Sequence, residues 1–453
     1  VTAEDCAEDG FACTVATCEA NTGKCGTAPT VDGYGCDDGN ACTQSDVCKA
    51  GKCVGGATKC DDSNPCTVDS CAPSTGNCVT PATQSGLACG EGKLCMSGAC
   101  LSSHVGWAKS VSLGRDHSCA LRSTGEVACW GRGDQGALGN GSNANRSTPV
   151  YASKITKAVA VDVGEHHSCA VLTDGTVACW GRGSYGALGY GSNKNQNSPV
   201  AAKDLANVVM LSAGWNHTCA IDKDAQAWCW GYNQYGQLGN GDNKQQYAPV
   251  KVAGLGKVVA IAAEANSTCA LRRDGYLMCW GYQSGQWSLG MPYFDQVWSP
   301  QYVWAPIRSH LLTGEYLHTC HAGPSGMIKC FGYNAHGELG NGNKTAQWSG
   351  QTLDGLKNVV GLSAGVYSSC ARDNKGAGWC WGYNAHGQLG VGDNKERLKP
   401  AAVVGVGPMR DLQMGLAHAC GVRQDGGVYC WGLGNYGQLG HGGTNSVNKA
   451  WRP

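Results

Sequence analysis

Cysteine is the most chemically loaded residue of this chain, and its spacing is orderly. There are 29 cysteines among 453 residues. Fourteen form seven pairs with nine intervening residues each. The pairs are Cys119 with Cys129, Cys169 with Cys179, Cys219 with Cys229, Cys269 with Cys279, Cys320 with Cys330, Cys370 with Cys380 and Cys420 with Cys430. The other fifteen fall in the first 100 residues. No C-x-x-C occurs, and the closest neighbours have four residues between them. That spacing speaks against zinc knuckles and leaves disulfides. So many oxidised thiols belong in an oxidising compartment, and the expected location is extracellular or at the cell surface.

The other reactive side chains gather into no catalytic pattern. His117, His167, His217, His318 and His418 each stand two residues before the first cysteine of a pair, with Ser267 and Ser368 replacing them twice. One per repeat, they cannot supply the three or four convergent ligands of a metal site. A repeated hydrogen bond inside each repeat is expected instead. Three stretches match the G-x-G-x-x-G fingerprint: Gly131, Gly133 and Gly136; Gly181, Gly183 and Gly186; and Gly432, Gly434 and Gly437. No amphipathic helix follows to receive a pyrophosphate, so turns are expected there and no cofactor. Arg132-Gly133-Asp134 spells an integrin-type tripeptide on such a turn, which chance explains. Asp37, Asp38 and Asn40, with Asp61, Asp62 and Asn64, offer oxygen ligands suited to Ca²⁺, or equally Asx turns between disulfides. Sequons stand at Asn140, Asn145, Asn216, Asn266 and Asn343. With no nucleophile–base pair or paired carboxylate in evidence, no enzyme is expected.

The elements that carry the paired cysteines follow from symmetry. HSCAL before Thr124 and EVACW after it read as strands, and residue 124 is the midpoint between Cys119 and Cys129. Directly opposed residues of an antiparallel hairpin share one midpoint, so the two cysteines of each pair face each other and are expected to be bridged. The third loop position needs positive φ, and Gly stands there in six repeats, with Ala225 in the seventh. A strand precedes each hairpin (VVMLSAG from Val208) and another follows the Gly-rich turn (APVKV from Ala248). Seven units of four strands, 50 or 51 residues apart, predict an all-β, seven-bladed β-propeller over residues 102–453. The last repeat stops at Pro453, where the other units begin their final strand, so residues near 105–113 are expected to help close the circle. Residues 1–101 repeat a four-cysteine spacing of about 25 residues, too short to bury a core. They are expected to form a disulfide-rich, loop-dominated stalk of unreadable connectivity.

The phrase carried by Gly214, His217, Thr218, Trp230, Gly231, Asn233, Gly236, Gln237, Leu238, Gly239 and Gly241 resembles the repeat of the RCC1-like (regulator of chromosome condensation) propellers. It recurs seven times. That family's usual repeat has no cysteine pair, so the resemblance implies a secreted branch. The phrases CDDGNACTQSDVC and CDDSNPCTVDSC resemble cysteine-rich repeats of secreted proteins in social bacteria and slime moulds. The recurrent tryptophans after the second cysteine are expected to pack between blades.

Basic and acidic residues balance at 34 each, which excludes a partner held by phosphate contacts, so no nucleic acid is expected. No apolar run reaches the length of a membrane span. A chain beginning at Val1 predicts a leader already removed or a start inside a longer chain. The repeat fails in the fourth blade, where Trp287, Tyr293, Phe294, Trp298, Tyr302 and Trp304 replace the polar turn. Aromatics beyond those the core needs are candidate binding anchors. The expected function is a non-enzymatic binding, adhesion or matrix protein. One propeller face would meet an extracellular protein or glycan, and the first modules would permit self-assembly. The alternative is an inhibitor of a secreted enzyme, since one bacterial branch of the fold caps β-lactamases. A nuclear exchange factor fits poorly with disulfides.

Overall fold

The computed structural model describes every residue except 1–12, 20, 23, 58, 59, 61, 62, 64–66, 68, 80–87, 91, 92, 97, 98, 103–107, 283–295, 304–310, 316, 317, 324, 325, 354, 452 and 453. The chain divides into two compact units, Val1–Leu101 and Ser102–Pro453.

The second unit is a seven-bladed propeller. Blades one to seven span Ala108–Tyr151, Ala158–Ala201, Val208–Lys251, Val258–Tyr302, Leu311–Thr352, Val359–Ala402 and Met409–Trp451. Each is a four-stranded antiparallel sheet with its strands in chain order. The seven innermost strands contact one another in a circle, and Ala108–Leu113 meets Met409–Met414 to close it. Among the described residues no strand is shared between blades. Val447–Trp451 pairs with Val428–Gly432 as the outermost strand of blade seven, so the final repeat is complete. Closure is by packing and hydrogen bonds, among them Val111 N–H donated to Asp411 Oδ2 at 2.9 Å. Of the residues expected near the closure, 108–113 form the innermost strand of blade one, and 105–107 lie outside the described residues.

The hairpin register sets the disulfides. Cys119 lies opposite Cys129, and the same register repeats in every blade. All seven expected bridges are present, each inside one blade. They are Cys119–Cys129, Cys169–Cys179, Cys219–Cys229 and Cys269–Cys279 in blades one to four. Blades five to seven hold Cys320–Cys330, Cys370–Cys380 and Cys420–Cys430. The second cysteines, Cys129, Cys179, Cys229, Cys279, Cys330, Cys380 and Cys430, are fully buried, so these bridges are sealed from solvent. The bridged Cα atoms are 4.1–4.2 Å apart, the close spacing of a non-hydrogen-bonded antiparallel pair. The loop residue between them takes φ +88° at Gly125, and a Cβ there would lie 2.9 Å from Thr156 O. Ala225, the one substitute, holds φ +59°. The apolar cores lie at the seams between blades: Trp180 of blade two packs with Cys119, Leu121, Val127 and Leu138 of blade one.

The first unit has short hairpins, Thr14–Cys18 with Cys25–Pro29 and Thr43–Lys49 with Lys52–Ala57, and a minimal pair, Ser70–Cys71 with Cys78–Val79. Its disulfides interlock. Cys36–Cys53 and Cys60–Cys78 join the first and fourth cysteines within a module. Cys13–Cys48 and Cys42–Cys71 join the second cysteine of one module to the third of the next.

Candidate binding face

The repeated histidines are the first test of function, because each lies within hydrogen-bond distance of a hydroxyl, as a catalytic Ser–His pair would. The bond runs between blades, not within one as the sequence suggested. His117 Nε2 meets Ser168 Oγ, His167 meets Thr218, and His217 meets Thr268, each at 2.9 Å. His318 meets Ser369 at 2.8 Å and His418 meets Ser118 at 2.9 Å. The hydroxyls donate onward to backbone carbonyls of the preceding blade, Ser168 to Ala137 O at 3.1 Å and Thr218 to Ala187 O at 3.0 Å. A hydroxyl whose proton is committed must accept from the ring, so Nε2 carries the hydrogen and the imidazole is neutral. Burial enforces that state, holding His167, His217 and His418 down to about 3 and His318 to about 4. No lone pair on Nε2 is left to activate the hydroxyl, and all five rings are buried. These are seams between blades, not dyads.

The same carbonyls accept the tryptophan indoles: Trp180 donates to Ala137 O at 3.0 Å and Trp230 to Ala187 O at 2.9 Å. Glycine follows two residues later because the next blade's indole lies over it; a Cβ on Gly139 would sit 2.7 Å from Trp180 Cδ1. The seam from blade four to blade five is rebuilt. Glu264 and Ser267 replace the usual Gly-x-x-His. The Glu264 carboxyl accepts from Ser267 Oγ at 2.8 Å and from Thr319 Oγ1 of blade five at 2.9 Å, so it bridges the seam in the histidine's place with the hydroxyl now donating. Gly314 makes the room, since a Cβ there would meet Glu264 Oε1 at 1.8 Å. Burial pushes Glu264 up to about 7. Phe331 takes the tryptophan position of blade five.

The G-x-G-x-x-G phrases are turns. In blades one and two the phrase ends in a three-residue 3₁₀ turn, Asp134–Gly136 and Ser184–Gly186. Gly133 and Gly183 are required because a Cβ would lie 2.1 Å from Ala144 O and 2.0 Å from Lys194 O. Where Asn233 replaces that glycine, its side chain holds the turn, donating to Lys244 O at 3.0 Å and accepting from Leu238 N–H at 2.9 Å. Arg132 pairs with Asp134 at 2.8 Å, inside its own tripeptide, and also with Asp116.

On the end of the propeller that bears these turns, side chains of successive blades stack. The turn residue of one blade lies against the residue after W-G of the next. Tyr185 meets Tyr232 and Tyr235 meets Tyr282 with ring centroids 4.7 Å apart, and Tyr232 meets Tyr235 at 6.0 Å. A second arc joins His336 to Tyr383 at 4.8 Å and to Tyr367 at 5.2 Å. In blades one and two the corresponding ground is charged: Arg115 with Glu165, and Arg132 with Asp116 and over the Tyr436 ring at 4.9 Å. The face therefore has a charged sector and a longer aromatic one. The sequence carried a signal for the belt, the recurring Tyr after W-G and before the third turn glycine, but its partner stands 47 residues away.

Of the predicted anchors, Trp298 and Tyr302 are described, 43% and 57% exposed on the outermost strand of blade four. They do not meet. Trp298 lies against the turn of blade three, where a Cβ on Gly236 would touch its ring at 2.5 Å. Tyr302 lies against the hairpin of its own blade, its hydroxyl accepting from Arg272 at 3.1 Å and its ring edge-on to Tyr276 at 5.3 Å. Four residues of strand separate them, roughly 13 Å. Trp287, Tyr293, Phe294 and Trp304 lie outside the described residues, as do Asp61, Asp62 and Asn64. Carboxylate oxygens of Asp37, Asp38 and Asp46 lie within 4.8 Å of one another. The Asn40 side chain accepts from Cys42 N–H at 3.0 Å, and Asp37 and Asp38 close similar turns onto Gly39 and Asn40.

A disulfide-stapled propeller with an aromatic turn face is the class of molecule these observations define. Two models described as the regulator of chromosome condensation (RCC1) repeat match it, one over residues 124–171, 174–221, 224–271, 375–422 and 425–453, the other over 108–137, 158–187, 208–237 and 410–438. Together they cover more than half of the chain, which belongs to the RCC1 repeat family. Within the propeller the stretch 272–374 is unmatched, and it holds the blade-five side of the rebuilt seam, Gly314, Thr319 and Phe331. Among solved structures the chain is similar to yeast RCC1 (Prp20) bound to Kap60, with a TM-score of 0.65 and 20% identity over 72% of this chain and 83% of that one. It is similar also to human WBSCR16, with a TM-score of 0.62 and 21% identity over 68% and 84%. In the first unit a Dictyostelium (slime mold) repeat model matches residues 59–80. Protein psiR of Dictyostelium discoideum is 34% identical over 91 residues, 18% of this chain and 9% of that protein, so the chain spans under a tenth of this relative.

Proposed function

We propose that this is a non-enzymatic, extracellular or cell-surface binding protein whose propeller holds a protein partner on the turn face. The aromatic belt of Tyr185, Tyr232, Tyr235 and Tyr282 carries the reading. Partly exposed tyrosines in mutual contact give large, rigid, amphipathic contact area at small entropic cost, and such residues dominate protein interfaces. The charged sector beside them would set orientation. Disulfides in both units and the likeness of residues 59–80 to a slime-mould repeat support the location. In the same reading the first modules present the propeller and allow self-assembly.

The test is binding of the purified full chain to intact cells and secreted matrix of its source. Tyr232→Ala/Tyr235→Ala is compared with Val209→Ser, a change at an exposed residue of an innermost strand. Loss of binding by at least tenfold in the tyrosine variant alone supports the reading. Equal binding by both variants refutes it. Binding removed by glycosidase but not protease treatment of the target would make the partner a glycan. Stoichiometric inhibition of a secreted hydrolase by the soluble monomer would favour the inhibitor role.

A further inference from the structure

One cavity is lined by innermost strands of the propeller, and the other blades show what the same positions ordinarily carry. It opens between the innermost strands of blades seven, one and two, with a volume of about 350 Å³, and Lys109, Arg410, Asp162, Asp411 and Gln413 are among its lining residues. That volume is in the range of small-molecule sites.

Each of these side chains departs from what the other blades carry. The position of Lys109 and Arg410 is Val159, Val209, Val259 and Val360 in blades two, three, four and six, all exposed. The position of Asp411 is Ser110, Ala160, Met210, Ala260, Leu311 and Gly361 in the other blades, and that of Asp162 is Ser112, Ser212 and Ser363 in three blades. Two cations and two carboxyls have thus been placed around one cavity, in three adjacent blades.

The backbone bond made at the position of Asp162 does not need a carboxyl, whereas Asp411 accepts Val111 N–H on Oδ2 and Leu412 N–H and Gln413 Nε2–H on Oδ1. Asp162 Oδ2 accepts the backbone N–H of Ala213 in the next blade at 2.8 Å. Ser112 and Ser212 make the same bond to Val163 and Ala263 at 3.0 and 2.9 Å, and Ser363 makes it to Met414 at 2.9 Å. A hydroxyl serves, whereas a carboxylate adds a desolvation penalty. Asp162 and Asp411 lie deep in the wall yet keep part of their surface open to the cavity, and burial raises both above the ordinary carboxyl range. A cationic group seated between them would relieve that penalty. At the rim, Arg410 is held in place by its Nε–H donated to Arg423 O at 3.1 Å, and Lys109 is exposed.

We propose that this cavity binds a free α-amino acid, with its ammonium against Asp162 and Asp411 and its carboxylate toward Lys109 and Arg410. The inner carboxyls and rim cations ask for opposite charges on one small molecule, which a zwitterion provides. The site is independent of the turn face and of whatever partner that face holds.

Calorimetric titration of the full chain with each of the twenty protein L-amino acids tests it. At least one binds with Kd below about 1 mM. Its N-acetyl and methyl-ester derivatives, which lack one charge each, bind at least tenfold more weakly. Asp162→Ser, which installs the residue of three other blades, and Lys109→Val, which installs that of four, each weaken binding at least tenfold. Lys109 is exposed, so its variant tests the site even if Asp162→Ser does not fold. Absence of binding by all twenty, or binding that survives N-acetylation or both substitutions, overturns the proposal.

Discussion

The two units of this chain solve the same problem with opposite materials. The propeller buries an apolar seam at every blade junction and closes each disulfide over a sequence separation of only 10, across a register the hairpin already holds. The first unit has almost no buried apolar side chain among its described residues, Cys13 and Cys48 excepted, and the disulfides between described residues span separations of 17 to 35. One set of bridges reinforces a fold and the other constitutes one.

Removing a bridge from each unit gives the widest separation. Loop-closure entropy assigns about 4 kcal/mol to Cys13–Cys48 and about 3 kcal/mol to Cys219–Cys229. The similar figures conceal different consequences. Cys13→Ala/Cys48→Ala leaves residues 13–57 without a core to fall back on, and they should become freely cleaved in limited proteolysis. Cys219→Ala/Cys229→Ala should lower the propeller's midpoint yet leave a cooperative transition, because Trp230 and the seam around Leu188 and Val208 remain. A first unit that resists protease without Cys13–Cys48 would break the contrast.

Protons separate the units next, since the first 101 residues contain no histidine. His217 falls from 6.5 to about 3 on folding because burial disfavours its charged form. Its contribution is complete above pH 6.5 and is lost as pH falls toward 3, about 3 kcal/mol of it by pH 4. His217→Gln keeps an N–H for Thr268 without that titration. The stability of the native chain relative to this variant should therefore decline by about that amount between pH 7 and pH 4. Indole fluorescence isolates the propeller, because residues 1–101 contain no tryptophan.

Glu264 should show the opposite sign. Its folded value of about 7 lies above the ordinary 4.5, so stability is greatest below pH 4.5 and is lost as pH rises through 7. Glu264→Gln should gain on the native chain by up to about 3 kcal/mol between pH 5 and pH 8, read as the difference in urea midpoints. A flat difference would mean that the carboxyl ionises as readily in the folded seam as in the unfolded chain.

What the sequence made legible follows the same division. The hairpin register could be read because a facing pair of cysteines and an antiparallel turn share a midpoint, and the positive-φ glycine marks it. The histidine bonds were assigned to the wrong sheet because recurrence shows that a residue matters, not which blade it faces; the partner stands 51 residues on. Glu264 was visible as a Gly-x-x-His turned into Glu-x-x-Ser, two departures that only make sense together once the carboxyl is seen in the histidine's place. In the first unit the spacing of four cysteines repeats without saying whether bridges stay within a module, and half of the described ones do not.

The smallest expected effect bears on why that seam changed at all. In most blades the tryptophan does two things, filling the seam and donating its indole N–H to the carbonyl two residues before a glycine of the preceding blade. Phe331 does only the first, and the turn of the preceding blade that would supply the acceptor falls in residues 283–295, outside the described residues. An indole N–H buried there without an acceptor would cost more than a phenyl ring. Trp230→Phe separates the two tasks where the acceptor, Ala187 O at 2.9 Å, is present. It should cost about 1 kcal/mol for the lost bond plus a small packing deficit, whereas Trp230→Ala should cost about 3 kcal/mol or more. Phe331→Trp should then be destabilising, although it restores the repeat's own residue. If that change stabilises the propeller, the rebuilt blade does offer an acceptor, and the phenylalanine needs another cause.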